Sequence, residues 1–305
     1  DGKVKDTSSI FPIVLSLVRQ CLVKKVIVCK ESAEQISKIP NIEIYCINSL
    51  SEAIEFFKME NKEKYLYKKE EFTYKSIIIN EENYYFEESY KEDFSDILGQ
   101  DLAKYAALIS ATGNHNIIFE GSPGCGKSMI SKRLKHIMPP MSLDEILEKA
   151  KLLSLDSKKI DFIPNRAFRS PHHSSTKSSI FGGGSSNAKM GEIALSNNGI
   201  LFFDELPHFS KSVLEALREP LEDNKILISR VNNKTMYDTK FIFIGAMNPC
   251  PCGNLLSKVK ICRCNELEIQ RYKGRLSEPF LDRIDLYVVM NDSSSDNRNI
   301  VSSKE

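Results

Sequence analysis

With 305 residues, 41% of them hydrophobic, the chain can bury at least one full core, and its length allows about two domains. Basic and acidic side chains nearly cancel, 42 against 41, so no overall field favours nucleic acid and any such contact has to come from a local patch. The strongest N-terminal apolar run, 10–18, is broken by Pro12 and Ser16 and falls short of the roughly 20 residues a membrane span needs; with no small-residue cleavage site at Arg19-Gln20-Cys21, a cytoplasmic protein without a membrane partner is expected.

In chain order, residues 10–21 carry a helical apolar stripe, 26–29 and 42–47 read as strands, and 51–57 as a helix with Ser51 as N-cap. These elements make a small α/β domain over 1–59. Residues 60–93 turn to Lys, Glu and Tyr with one strand-like island, Ile77-Ile78-Ile79, and are expected to form a charged linker of low order. A second α/β unit is expected over 94–290. Its helices fall at 100–111, 126–138 and 211–221, and its buried strands at 116–120, 200–203 and 241–246. Strands alternating with helices imply a parallel sheet covered on both faces. Residues 291–305, rich in Ser, Asn and Asp, read as a linker, and a first residue that is Asp rather than Met is expected of a fragment.

Gly121-Ser122-Pro123-Gly124-Cys125-Gly126-Lys127-Ser128 fits the P-loop pattern and lies between a predicted strand and a predicted helix, with Met129 next in the helix. The chemistry needs those residues. Glycines let backbone N–H groups wrap the phosphates of ATP, Lys127 reaches the β- and γ-phosphates, and Ser128 binds Mg²⁺. Cys125 reads as a small residue filling a permissive position.

Ile200-Leu201-Phe202-Phe203-Asp204-Glu205 is four apolar residues followed by two carboxylates, which places the acids at the C-terminal end of a central strand beside the P-loop. Asp204 is assigned to Mg²⁺ and Glu205 to the water that attacks the γ-phosphate. The apolar run Phe241-Ile242-Phe243-Ile244-Gly245-Ala246-Met247 ends in Asn248, an amide able to sense the γ-phosphate. In Leu281-Asp282-Arg283-Ile284-Asp285, Arg283 either reaches a neighbouring subunit's γ-phosphate or makes an intrachain salt bridge; Arg275 is the second candidate. His172-His173 has no companion acid at metal-site spacing, so a structural or interface role is expected.

Cysteines in this compartment are thiols or metal ligands rather than disulfides. Four of the eight cluster: Cys250 and Cys252, then Cys262 and Cys264. Four thiolates on so short a loop suit tetrahedral Zn²⁺, although C-x-C is tighter than the usual C-x₂-C; free or reversibly oxidised thiols and an iron–sulfur cluster are the other readings. Between Lys225 and Lys240, two β-like runs flank Val231-Asn232-Asn233-Lys234, a predicted hairpin.

Alongside the P-loop, the strand acids and Asn248 stand four further stretches. They are Phe168-Arg169-Ser170-Pro171-His172-His173-Ser174, Gly191-Glu192-Ile193-Ala194-Leu195, Leu214-Glu215-Ala216-Leu217-Arg218-Glu219-Pro220-Leu221-Glu222-Asp223 and Met247-Asn248-Pro249-Cys250-Pro251-Cys252-Gly253. Together they resemble the ComM (YifB) family of magnesium-chelatase-like AAA+ ATPases, from about residue 94 to 289 and more weakly over 2–57. The resemblance implies an AAA+ P-loop core with a hairpin before the sensor strand, and a homohexameric ring that hydrolyses ATP. It further implies translocation on single-stranded or branched DNA, branch migration during natural transformation, and recombination proteins as partners. Arg283 would then be the arginine finger and Asn248 the sensor, while Arg230 and Lys234 on the pore-facing hairpin would touch DNA phosphates. Residues 2–29 resemble the later half of a Lon-protease-like domain (ribosomal S5 domain 2-like), with Phe11 where the catalytic lysine would stand and the serine segment missing, so no peptidase is expected. The resemblance also implies a C-terminal helical lid with a sensor-2 arginine, which is expected to be missing from these 305 residues. The alternative is a chelatase-like motor that remodels proteins or inserts Mg²⁺ into a porphyrin; those relatives lack the four-cysteine loop and the Lon-like piece.

Overall fold

The computed structural model describes residues 2–7, 9–69, 72–156, 159–183, 190–229, 234–257, 259–291 and 302–303. The chain runs α1 (Ile10–Arg19), β1 (Lys25–Val28), α2 (Lys30–Ile36), β2 (Glu43–Cys46), α3 (Leu50–Lys58), β3 (Lys75–Ile79) and β4 (Glu82–Phe86). It continues α4 (Asp101–Gly113), β5 (Ile117–Gly121), α5 (Lys127–Arg133), β6 (Met141–Ser142), α6 (Leu143–Leu155), β7 (Phe168–Arg169), α7 (Lys177–Phe181), α8 (Glu192–Leu195) and β8 (Ile200–Phe203). The remainder is α9 (Lys211–Ala216), α10 (Arg218–Asp223), β9 (Lys225–Ser229), β10 (Lys234–Asp238), β11 (Ile242–Met247), α11 (Glu266–Lys273), α12 (Glu278–Leu281) and β12 (Leu286–Met290). None of the described helices is long and apolar enough to cross a membrane.

Two compact units emerge, and neither matches the expected boundaries at 59/60 and 93/94. The first comprises Asp1–Tyr85 together with Ser142–Ile163, the second Phe86–Met141 together with Pro164–Glu305. In the first unit β1 and β2 pair in parallel, and α1 packs Phe11, Val14 and Leu15 against Ala33, Ile36 and Ile44. The same core takes in Leu147 and Ala150 of α6, and Arg19 of α1 pairs with Glu148 at 2.6 Å. Helix α6 follows the P-loop in sequence yet belongs here, because its apolar face finds its partners in α1. Ser142 and Glu145 start it with a reciprocal capping box. Phe11 is fully buried, edge-on to Phe162 at 5.7 Å, as a core residue.

The expected linker, 60–93, is structured in part. β3 and β4 are neighbours in one sheet, and both residues of the turn between them, Asn80 and Glu81, have left-handed backbone (φ 49° and 68°), the combination whose twist matches two adjoining strands. The cap of α3 also lies two residues earlier than expected. Ser49, not Ser51, accepts the backbone N–H of Glu52 at 3.2 Å.

The second unit is built on a five-stranded sheet in the order β12-β5-β11-β8-β7, all neighbours parallel. Alternation along its strands feeds two cores. Ile117, Phe119, Phe202, Ile244 and Val288 point to one face, covered by Ala103, Ala107 and Ala111 of α4 and Ile130 of α5. Ile118, Leu201, Phe203 and Phe243 point to the other, covered by Val213 and Leu214 of α9 and Phe280 of α12. The expected helix 211–221 is broken into α9 and α10 at Leu217, three residues before Pro220, and the expected helix 126–138 gives way to 3-10 geometry at Leu134–His136. Of the expected tail 291–305, only Asn291, Ser302 and Ser303 are described.

Candidate nucleotide-binding site

β5 is buried at every position and delivers the chain to the carboxyl edge of the sheet at Gly121. The loop then turns through Gly124 (φ 84°) and Gly126 (φ 100°), backbone that an L-side chain adopts only at a cost, and α5 begins at Lys127. Lys127 is 8% exposed. Its ammonium donates to the carbonyls of Gly121 (2.6 Å) and Ser122 (3.0 Å) and to Oδ1 of Asn248 (3.2 Å), which uses all three of its donors. Cys125 lies buried in the same loop, its Sγ 3.9 Å from that ammonium.

Three strands converge here. Ser128 Oγ donates to Oδ2 of Asp204 at 3.0 Å, and Oδ1 of Asp204 accepts the N–H of Glu205 at 3.0 Å. Asn248 follows β11, which is buried throughout. The backbone of Glu205 is left-handed (φ 52°), an unusual state for a non-glycine residue that costs on the order of 1–3 kcal/mol. That turn leaves the carboxylate 54% exposed, with His173 Nε2 3.6 Å and His208 Nδ1 3.7 Å from Oε2. The expectation that His173 has no companion acid is therefore corrected: the acid is Glu205, distant in sequence, brought near because the segment after β7 lies beside the end of β8. Ser128 and Asp204 offer hard oxygens, a donor set that fits Mg²⁺.

The two arginine candidates occupy opposite edges of the sheet. Arg275 donates to the carbonyl of Pro207, two residues past Glu205. Arg283 accepts Asn116 Nδ2 on its carbonyl, at the start of β5, and its guanidinium pairs with Glu222 at 2.5 Å. A five-residue strand spans roughly 15 Å, so Arg283 stands about that far from the P-loop edge of its own sheet.

A second set of contacts ties the four-cysteine loop to the P-loop. Cys250, Cys252, Cys262 and Cys264 bring their sulfurs within 4.8 Å of one another, with separations of 3.4, 3.7 and 3.6 Å among the first three, too long for disulfides. N–H groups of Arg263 and Asn254 point at Cys252 and lower its thiol to about 6. Gly253 (φ 78°) abuts Pro123: a Cβ there would lie 2.7 Å from Pro123 Cγ and Cδ. Farther on, Lys273 of α11 reaches Glu120 at 2.7 Å, and Tyr287 of β12 donates to the same carboxylate, which is 3% exposed. Burial, then the Glu120 carboxylate, pushes the Tyr287 hydroxyl up from its ordinary value. Burial likewise pushes Tyr272 up to about 12, against the opposing hydrogen bond from the Asn248 backbone. Glu120, Lys273, Tyr287, Gly253 and His173 were not expected at the site; apart from Gly253 and His173, which fall in two of the quoted stretches, no local pattern marks them.

The expected hairpin is present: β9 and β10 pair antiparallel, Lys234 opposite Ser229. Arg230 lies outside the described residues, and Lys234 is described as a strand position only.

The profile of the family described as "Magnesium chelatase, subunit ChlI" matches residues 93–298. Competence protein ComM of Haemophilus influenzae is 36% identical over 94% of this chain and 54% of its own length. The protein YifB of Salmonella typhimurium is 46% identical over 64% of this chain and 38% of its own length. The chain thus spans about half the length of the first of these relatives and less of the second. Among solved structures, that of NtrX from Brucella abortus in complex with ADP matches with a TM-score of 0.41 and 16% identity, over 64% of this chain and 36% of that one.

Proposed function

Because this chain belongs to the magnesium chelatase subunit ChlI family of AAA+ ATPases, with ComM as a relative, we propose that it binds ATP with Mg²⁺ at the P-loop and hydrolyses it as one subunit of a homohexameric ring. The observation that carries this reading is the convergence of Lys127, Ser128, Asp204, Glu205 and Asn248 at one edge of a parallel sheet. Phosphoryl transfer asks for little covalent help from a protein; it asks for positioning and for charge placed where charge develops.

Lys127 neutralises the β- and γ-phosphates, exchanging the carbonyls of Gly121 and Ser122 for phosphate oxygens. Ser128 and Asp204 would hold Mg²⁺, which supplies further positive charge at the phosphates. The Glu205 carboxylate, held outward by its left-handed backbone, orients the attacking water and takes its proton. Asn248 links the end of β11 to Lys127 and donates its amide toward the same phosphate. Arg283, set at the far edge of the sheet, serves the nucleotide of a neighbouring subunit.

The ring's substrate in this reading is single-stranded or branched DNA, moved through a pore lined by the β9–β10 hairpin, with Arg230 and Lys234 on its phosphates and recombination proteins as partners. Likeness to ComM supports it, as does the hairpin standing just before the sensor strand. The four-thiol loop is the candidate site of structural Zn²⁺. ATPase rate measured with and without single-stranded and branched DNA tests the whole. DNA is expected to raise the rate, and Lys234→Ala to reduce that stimulation; a rate indifferent to DNA in both proteins refutes the DNA reading while leaving the ATPase intact.

A further inference from the structure

Building on the nucleotide-site reading, we propose that Cys250, Cys252, Cys262 and Cys264 hold one Zn²⁺ and that the metal-tied loop braces the P-loop, so that zinc occupancy sets nucleotide affinity. The sulfur geometry is that of a four-thiolate ion site. With Zn–S at about 2.3 Å, tetrahedral ligands stand about 3.8 Å apart. Three sulfurs are already 3.4–3.7 Å apart, and the fourth is within 4.8 Å of them all. Backbone N–H groups aimed at the sulfurs fix their orientation, Asn254 and Arg263 on Cys252 and Cys252 on Cys264, as outer contacts to thiolate ligands do. Soft thiolates select Zn²⁺ over Mg²⁺, so this site does not compete with Ser128 and Asp204 for their ion.

The loop cannot hold itself. Among the described residues between β11 and α11 there is neither strand nor helix, and near the loop's far end Val259 and Ile261 are 86% and 88% exposed. Ordering such a segment costs backbone entropy at every residue, and side chains as exposed as Val259 and Ile261 return little of it by burial. A cross-link through four of its residues does.

What the cross-link holds in place is the P-loop. Gly253 sits between the first two thiols and the third, donates to the carbonyl of Cys250 at 3.0 Å, and bears directly on Pro123. Two residues before Cys250, Asn248 receives the Lys127 ammonium. After Cys264, a capping box at Asn265 and Glu268 starts α11, whose Lys273 closes on Glu120, the residue before Gly121. The loop thus clasps the P-loop from both of its ends.

Zinc content and nucleotide affinity, measured on the same preparations, test this. The wild-type chain, purified without chelator, should carry about one zinc. Its affinity for a fluorescent ATP analogue with Mg²⁺ should fall by about tenfold when zinc is stripped and recover when Zn²⁺ is returned, a coupling of ordinary size between two sites. By reciprocity the analogue should tighten zinc by the same factor in competition with a chromophoric chelator. Gly253→Ala separates the metal from its mechanical effect: the added methyl meets rigid Pro123 in left-handed backbone, so zinc should stay while nucleotide affinity drops severalfold. Cys262→Ser should lose both. Absence of zinc, or iron in its place, overturns the metal site; zinc present but affinity within twofold after stripping overturns the brace and leaves the nucleotide site standing. A zinc-loaded chain that binds no nucleotide overturns the nucleotide reading and the brace with it.

Discussion

Lys127, first residue of α5, donates to the side-chain oxygen of Asn248 at 3.2 Å, joining two residues 121 positions apart that follow the adjacent strands β5 and β11. Their chemistry separates on substitution. Lys127→Ala removes the charge on the phosphates and should abolish measurable binding of an ATP analogue. Asn248→Ala removes an uncharged donor that matters as charge develops, and should leave binding within a few fold while lowering turnover by about 10²–10³. Equilibrium binding beside steady-state turnover distinguishes them.

Glu205→Gln keeps the shape of the side chain and removes the base. ATP should remain bound and turnover should fall by about 10²–10⁴. His173→Ala, which removes a ring 3.6 Å from the same carboxylate, should lower turnover by a smaller factor with unchanged binding. Normal turnover in the glutamine variant would assign the base elsewhere.

The place of Arg283 at the start of β5 yields a mixing experiment. Arg283→Ala should reduce turnover by about 10³. Combined with Glu205→Gln, also inactive, it should regain part of the activity, because some interfaces then pair an intact glutamate with an intact arginine. No recovery at any ratio would show that Arg283 acts within its own subunit or not at all. Loss of the Glu222 pair should change stability little, since that carboxylate is 57% exposed.

The P-loop, Asp204, Glu205 and Asn248 were legible because each ends an apolar run that can only be a buried strand, and a parallel sheet brings such ends to one edge. The two-faced core was legible for the same reason. His173 beside Glu205, Lys273 on Glu120 and Gly253 on Pro123 depend on how loops from distant positions settle over that edge, which no periodicity encodes. The β3–β4 hairpin was hidden because Asn-Glu is not a common pair for two left-handed positions, and because its strands, KSIII and ENYYF, lack the alternation of a half-buried strand and are largely exposed.

His136 gives a pH dependence. Its ring packs on Tyr90 at 4.3 Å, and burial, with Lys135 nearby, lowers it to about 4 from an ordinary 6.5. The folded chain therefore binds this proton less readily than the unfolded chain does. Stability from this group is whole above about 6.5 and declines as pH falls toward 4, by at most about 1.4 kcal/mol per pH unit and less for a half-buried ring. Denaturant unfolding of wild type and His136→Gln across that window should show a shallower acid slope in the variant.

The chain passes from the first unit to the second at residues 85 and 86, returns for Ser142–Ile163, and leaves again. A single cut ahead of the P-loop therefore does not liberate an intact ATPase unit. It strips Leu147 and Ala150 of the side chains they were packed on and deprives Glu148 of Arg19, leaving an apolar helix in water and an invitation to aggregate. Excision of the second unit has to remove 142–163 as well and close the gap from Met141 to Pro164, because those residues belong to the core of the first.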